Sequence, residues 1–420
     1  MGTKTLIERA SWTLVDQGVV SAGNFILNIL LARTLSEHDY GAFAIFLGVI
    51  FVLRTLDYSI VTYPLSLRLH AASHEERAGL LGNTILLSTV MSLILVTVLV
   101  LGTVLLKVKS LMLPICLCYV CWQAHETARR CLLADFRYSG AVAGDGISYL
   151  GQALLIALMA SLWHVTLVSA LYAMSATFAL GAMVHWSKQR FGWPDLAETR
   201  HLVREYVAVG KWSLISYQIA LVRHQLMPWV LASVAGTGAT ASYQAAANIA
   251  NTIAPINLGI GNAVPQIAAQ AYRAGGLIGA SRAVCGYVLF GLGPVLLICA
   301  AAVLVPTLLL LTAYGPQSPY LAVATGLQLL AIAGVFDYVG EMINKTLLGI
   351  EAGRIASLIN VVSFGAAIIL AFTLIRPFGV VGACLALLFS NLTRAIAGAI
   401  AIAWLISREK ALAPVRGRLV

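Results

Sequence analysis

Twelve runs of about 20 or more mostly apolar residues, each long enough to cross a bilayer as a helix, make up most of this 420-residue chain. They fall at roughly 12–33, 42–64, 79–106, 110–133, 140–162, 165–186, 208–234, 240–264, 281–311, 320–347, 355–375 and 379–406. Hydrocarbon offers no partner to a bare N–H or C=O, so segments of this kind fold as helices. Only 10% of the residues are charged, against the quarter or so of a soluble domain, and 60% are hydrophobic. The expected fold is an all-α polytopic membrane protein.

Loop charge then sets orientation. With the N-terminus inside, 20 of the 27 Lys and Arg fall at cytoplasmic ends and loops, and Arg33, Lys107, Lys109 and Arg376 fall outside. Arg54, Arg223 and Arg394 lie within spans. A bias of this size places both termini in the cytoplasm. It also accounts for the net charge of +10 without a nucleic-acid partner. The short basic stretch before Trp12 reads as the flank of an uncleaved first helix. Outer loops are short, the longest being about 312–319, which argues against a catalytic domain on that face.

The longest soluble stretch is internal, about 187–207. Trp193-Pro194-Asp195 opens an amphipathic helix with Asp195 as N-cap. Leu196, Leu202, Val203, Tyr206 and Val207 are expected at the membrane interface, with Arg200 and Arg204 outward. The chain thus divides into a lobe of six helices (1–190), a cytoplasmic connector (191–207) and a second lobe of six (208–420). The halves share weak likenesses: Trp12-Thr13-Leu14 with Trp212-Ser213-Leu214, Leu31-Ala32 with Leu231-Ala232, and Tyr40-Gly41-Ala42 with Tyr243-Gln244-Ala245. Six spans return the chain to its starting side, so such a repeat is parallel, about a pseudo-two-fold along the membrane normal.

Polar residues recur at helical spacing in four spans. Gln17, Ser21, Asn24 and Asn28 share one face, as do Arg54, Tyr58 and Thr62; Ser213, Ser216, Tyr217, Ala220, Arg223 and Met227; and Gln244, Asn248, Asn251, Pro255 and Asn262. Facing lipid, these groups would each cost several kcal/mol, so the stripes face protein or a hydrophilic lumen. Interhelical hydrogen bonding explains any single stripe; four on the leading spans of two halves suit a shared lumen. Pro228, Pro255, Pro265 and Pro294 are expected to bend their helices.

An arginine at mid-bilayer costs about 2.5–3.5 kcal/mol or more. Arg223 and Arg54 are the candidates for gripping an anionic group from the lumen, with Arg54 alternatively braced by Asp57 at i, i+3. Asn24, Asn28, Tyr217, Gln244, Asn248 and Asn251 are the candidate polar lining. Asp16 and Asp57 are candidate ion-coupling carboxylates. Asp337 and Glu341, one turn apart, are expected to form structural ion pairs with Arg394; Glu126 and Asp145 brace Arg129, Arg130 or Arg137. Cys116, Cys118 and Cys121 do not share a helix face and have no histidine at ligand spacing, so they read as small apolar filler, and no metal site or cofactor is expected. No Walker loop, GxGxxG, HExxH or GxSxG is present, which points away from an enzyme.

The run Ala32-Arg33-Thr34-Leu35-Ser36-Glu37-His38-Asp39-Tyr40-Gly41-Ala42-Phe43 is similar to the pattern AR-x-L-x-x-x-x-[FY]-G-x-[FY] between the first two spans of Wzx-type polysaccharide flippases. Span count, cytoplasmic termini and mid-chain connector resemble the multidrug/oligosaccharidyl-lipid/polysaccharide (MOP) superfamily as a whole. The resemblance implies a flippase that moves an undecaprenyl-diphosphate-linked oligosaccharide across the bacterial inner membrane by alternating access, with H+ or Na+ as the coupling ion. The oligosaccharide is then taken up by surface-polysaccharide assembly alongside a polymerase and glycosyltransferases. Arg54 and Arg223 are the positions that fit the family's cationic cavity. Lipid II flippases of the superfamily carry two further helices that this chain lacks. The alternative of the same fold is an ion-coupled multidrug exporter of the MATE branch.

Overall fold

The structure, a computed structural model, describes residues 3–135 and 137–416, with side chains described for all of these except 3–11, 13–14, 67, 70–71, 74–75, 209–213, 215–217, 220 and 410–416. Among the described residues there is no strand. Helices fill the chain, and several continue through what look like single long elements: one apolar helical stretch runs over Leu221–Leu304 and another over Gly353–Glu409. Each turns over at glycine. Gly236 (φ 84°), Gly276 (φ 62°) and Gly379 (φ 53°) leave helical geometry in the left-handed half of the map, where a Cβ is strained and glycine is not.

Taken between these breaks, the described residues form twelve rods: α1 (Thr3–Thr34), α2 (37–71), α3 (His74–Leu105), α4 (109–134), α5 (138–162), α6 (Leu167–Ser187), α7 (196–235), α8 (237–274), α9 (277–314), α10 (319–349), α11 (353–378) and α12 (380–416). Each apolar run read from the sequence falls in one rod to within two residues. The breaks fall at glycines rather than at the expected prolines. Pro228, Pro265 and Pro294 lie inside helical runs, and Pro255 follows a 3₁₀ turn, Asn251–Ile253, that interrupts α8. The turns are tight. Thr240 Oγ1 reaches back across Gly236 to Pro228 O at 3.4 Å, and a Cβ on Gly382 would sit 2.0 Å from Leu374 O.

The run 32–43 between α1 and α2 has a packing role. Ser36 Oγ accepts from Asp39 N and caps α2. Tyr40 and Phe43 are fully buried, and Tyr40 hydroxyl donates to Asn28 Oδ1 at 3.4 Å, tying the start of α2 to α1. At α3, Ser73 and Glu76 form a reciprocal capping box.

The chain resolves into two compact units, 1–222 and 223–420. In the first, Asp195 Oδ1 accepts from Ala197 N, so Asp195 caps α7. Asn83 on α3 accepts from Asp195 N at 2.8 Å and from Thr199 Oγ1 at 3.1 Å. Leu202 and Tyr206 bury against Leu65, Leu69, Leu80, Leu81 and Cys131, while Leu196, Val203 and Val207 stay exposed. The connector's apolar face is therefore shared between the protein core and the outside, rather than lying wholly at an interface. Nor does it end near 207: nothing between Val207 and Lys211 breaks a helix, and α7 continues to 235.

Candidate functional site

The first unit encloses a ladder of charge along α4. Glu126 lies at i−3 and i−4 to Arg129 and Arg130, and all three point into the unit or its edge. Arg54, from α2, places its terminal nitrogen 3.1 Å from Glu126 Oε2 and its guanidinium 4.3 Å over the Trp122 ring. Arg54 therefore pairs across helices with Glu126; the i, i+3 contact with Asp57 is not formed. Asp57 is fully buried and satisfied by neutral donors instead: Gln123 Nε2 at 2.6 Å, Ser88 Oγ at 3.0 Å and Thr62 Oγ1 at 3.2 Å.

Arg129 is the centre of the ladder. Read from loop charge it belongs to the cytoplasmic end of its span, yet it is buried. Its Nε donates to Asp145 Oδ2 on α5 at 2.5 Å, and its terminal nitrogen donates to Asp16 Oδ2 on α1. One guanidinium fork thus joins three helices through two carboxylates, which suits arginine and not lysine. Arg130 donates to Glu126 at 2.6 Å and stacks on Tyr58. Arg137 donates instead to Lys188 O. Across this ladder four carboxylates (Asp16, Asp57, Glu126, Asp145) face three guanidinium groups (Arg54, Arg129, Arg130).

Two of the buried aspartates, Asp57 and Asp145, stand at the same local irregularity. Asp57 immediately precedes a π-helical turn, Tyr58–Thr62, and Asp145 precedes another, Gly146–Leu150. A π turn is rare, sacrifices regular hydrogen bonding and is frequently found where a helix must present a functional group. Of the expected lining on α1, Asn24 is half-buried and Asn28 is engaged with Tyr40 and with Asn24 O.

The second unit holds a separate cluster. Arg223, on α7, is buried; it donates to Asn391 Oδ1 on α12 at 2.6 Å and approaches Asp337 on α10 at 3.4 Å. Arg394, one turn beyond Asn391, donates to Asp337 Oδ1 at 2.8 Å, to Asp337 O at 2.7 Å and to Glu341 at 3.1 Å. Lys345 lies 3.6 Å from Glu341. Three cations here face two carboxylates, the reverse of the first unit. Gln244 and Asn248, on α8, are half-buried, and Asn251 is exposed at the 3₁₀ interruption. The side chain of Tyr217, with those of Ser213, Ser216 and Ala220, lies outside the described residues.

The sequence offers Arg54 and Arg223 by periodicity, Arg394 by its place within a span, and Glu126 and Asp145 as partners of Arg129 and Arg130, which they are; it misses Gln123, His125, His185 and Asn391. A signal was present for most of them: Gln123, His125, Glu126, Thr127, Arg129 and Arg130 are a dense polar group inside an otherwise apolar run, and Asn391 shares a face with Arg394 at i, i+3.

Charge buried and compensated inside two all-helical units, on a chain with eight helical stretches long and apolar enough to cross a bilayer, is the build of a multi-pass membrane protein. The chain belongs to the polysaccharide biosynthesis protein family, whose profile it matches over residues 6–269; residues 213–373 also match the MatE profile. No curated protein matches the sequence. Among solved structures it is similar to an inward-facing multidrug resistance MATE transporter of the MOP superfamily (TM-score 0.75, 16% identity, 95% of this chain and 96% of that one). It is also similar to the lipid II flippase MurJ in an inward closed conformation (TM-score 0.76, 12% identity, 94% and 87%). A third likeness is to a MOP superfamily transporter from Pyrococcus furiosus for which a reversed pocket polarity suggests a different function (TM-score 0.60, 15% identity, 97% and 96%).

Proposed function

We propose that this protein flips an undecaprenyl-diphosphate-linked oligosaccharide from the inner to the outer leaflet of a bacterial inner membrane, in the assembly of a surface polysaccharide such as O-antigen, capsule or exopolysaccharide. The observation that carries the reading is the charge of the second unit's cluster: Arg223, Arg394 and Lys345 against Asp337 and Glu341. Arg394 and Lys345 are matched by the two carboxylates. Arg223 supplies the excess positive charge, held by Asn391 in a fixed pose, and a diphosphate is the group that a buried guanidinium fork takes up best. Membership of the polysaccharide biosynthesis family supports the same substrate class.

The MATE-type multidrug exporter is the second reading, supported by the MatE match over residues 213–373 and by the buried ladder of the first unit, whose carboxylates outnumber its guanidinium groups and suit a cation. Deleting the gene separates the two. Flipping predicts that an undecaprenyl-diphosphate oligosaccharide accumulates on the cytoplasmic face, identified by mass spectrometry of extracted lipids, with loss of surface polysaccharide. Drug sensitivity with an unchanged lipid-linked pool would overturn it.

In the first unit, the excess carboxylate is the place for a coupling ion, H+ or Na+. Asp16→Asn leaves Arg129 its partner Asp145, so the unit stays folded, and the expected result is a changed dependence of export on external pH or Na+. Export with the parent's ion dependence removes Asp16 from this role.

A further inference from the structure

We propose that His125, Asp145 and His185 form a binding site for a divalent transition metal of the zinc class, joining α4, α5 and α6 within the first unit. All three side chains are fully buried, and one ligand atom from each lies within 4.8 Å of the others. His125 Nε2 is 3.2 Å and His185 Nε2 3.7 Å from Asp145 Oδ1. Donors of a tetrahedral ion with metal–nitrogen bonds of about 2.0–2.1 Å stand roughly 3.3 Å apart, so these atoms need only small shifts to surround one. Two imidazoles and one carboxylate are a donor set that zinc-class ions prefer to Mg2+ or Na+.

The surroundings fit a site rather than a chance stack of rings. Asp145 Oδ1 is buried, faces both imidazoles and has no hydrogen bond of ordinary geometry among the described residues, and the same is true of His125 Nε2. His185 Nε2 donates to Ala141 O at 2.9 Å; an ion bound there replaces that proton, which leaves to solvent, and Ala141 O stands beside the same point. Arg129 holds the other oxygen, Asp145 Oδ2, as outer-shell donors hold ligating carboxylates. Room for the imidazoles has been cleared by glycine: a Cβ on Gly144 would fall 2.2 Å from His185 Nε2, and one on Gly181 would fall 3.0 Å from His125 Cδ2 and 2.0 Å from Ser148 Oγ. The π turn begins at the residue after Asp145, which aims this carboxylate differently from a regular helix.

The test uses the full chain, purified in detergent with every affinity tag removed. Elemental analysis is expected to find about one equivalent of zinc per chain. After chelation, added Zn2+ raises the melting temperature, and Co2+ gives the absorption bands of a four-coordinate nitrogen–oxygen site. His125→Gln and His185→Gln lose all three signals, whereas His38→Gln and His201→Gln, at exposed histidines, keep them. If both buried-site variants fail to fold, X-ray absorption of the zinc-loaded parent decides: two imidazoles plus oxygen ligands support the site. Any other ligation, no retained or added metal, or metal that follows His38 or His201, overturns it.

Discussion

Arg223→Ala inserts and folds normally, and fails to restore surface polysaccharide to a deletion strain. Folding survives because Arg394 and Lys345 still neutralise Asp337 and Glu341 through their own contacts. The alanine chain therefore leaves no carboxylate stranded, the condition under which deleting one member of a buried pair costs most. What it does remove is the charge in excess. A hydrogen bond to an ionised group is worth about 1.5–3 kcal/mol, so export falls by about ten- to a hundredfold. Arg223→Lys restores part of it, since lysine supplies charge without the planar fork. Polysaccharide on the cell surface is the readout, with membrane-fraction immunoblotting as the control. Full complementation by Arg223→Ala would exclude this residue as the anion contact.

Arg129→Met is expected to be the most destabilising single change in the first unit. It strands Asp16 and Asp145, two buried carboxylates that now share one guanidinium. Breaking a buried pair costs about 3–5 kcal/mol. The triple variant Arg129→Met with Asp16→Asn and Asp145→Asn removes all of the charge together and should regain most of the loss, because like-sized neutral groups need no counter-ion. Thermal melts of the three proteins in one detergent measure this ordering. If the single variant melts with the parent, or the triple variant is no better than the single, the bridge does not hold the unit together.

Most of the rods were legible because a span is a property of its own residues, its length and hydropathy; the rod over 109–134, which carries the charge ladder, falls short by this measure. The turns were less so. Proline announces a break in the sequence, yet here it is accommodated within helices, and the chain turns at glycines that look like ordinary helix glycines until their φ is known. The buried charges were half legible. A stripe at helical spacing tells which face of a helix is polar, so Arg54 and Arg223 stood out. It cannot tell what that face meets. Arg54 finds Glu126, and Arg129 finds Asp16 across 113 positions of chain. Arg129 also shows how the loop-charge argument misleads: a basic residue near a span end counts toward orientation whether it is solvated or, as here, sealed inside. His125 and His185 were invisible for the same reason, being far apart in sequence and adjacent in the fold.

The turn at Gly379 bears on how the chain enters a bilayer during synthesis. A single residue out of helical geometry separates α11 from α12, with Leu374 O and residue 382 in close approach. No hydrated loop is available there to wait at the surface while the second helix follows. The two are expected to enter the hydrocarbon as one preformed hairpin, which the insertion machinery then handles as one event rather than two.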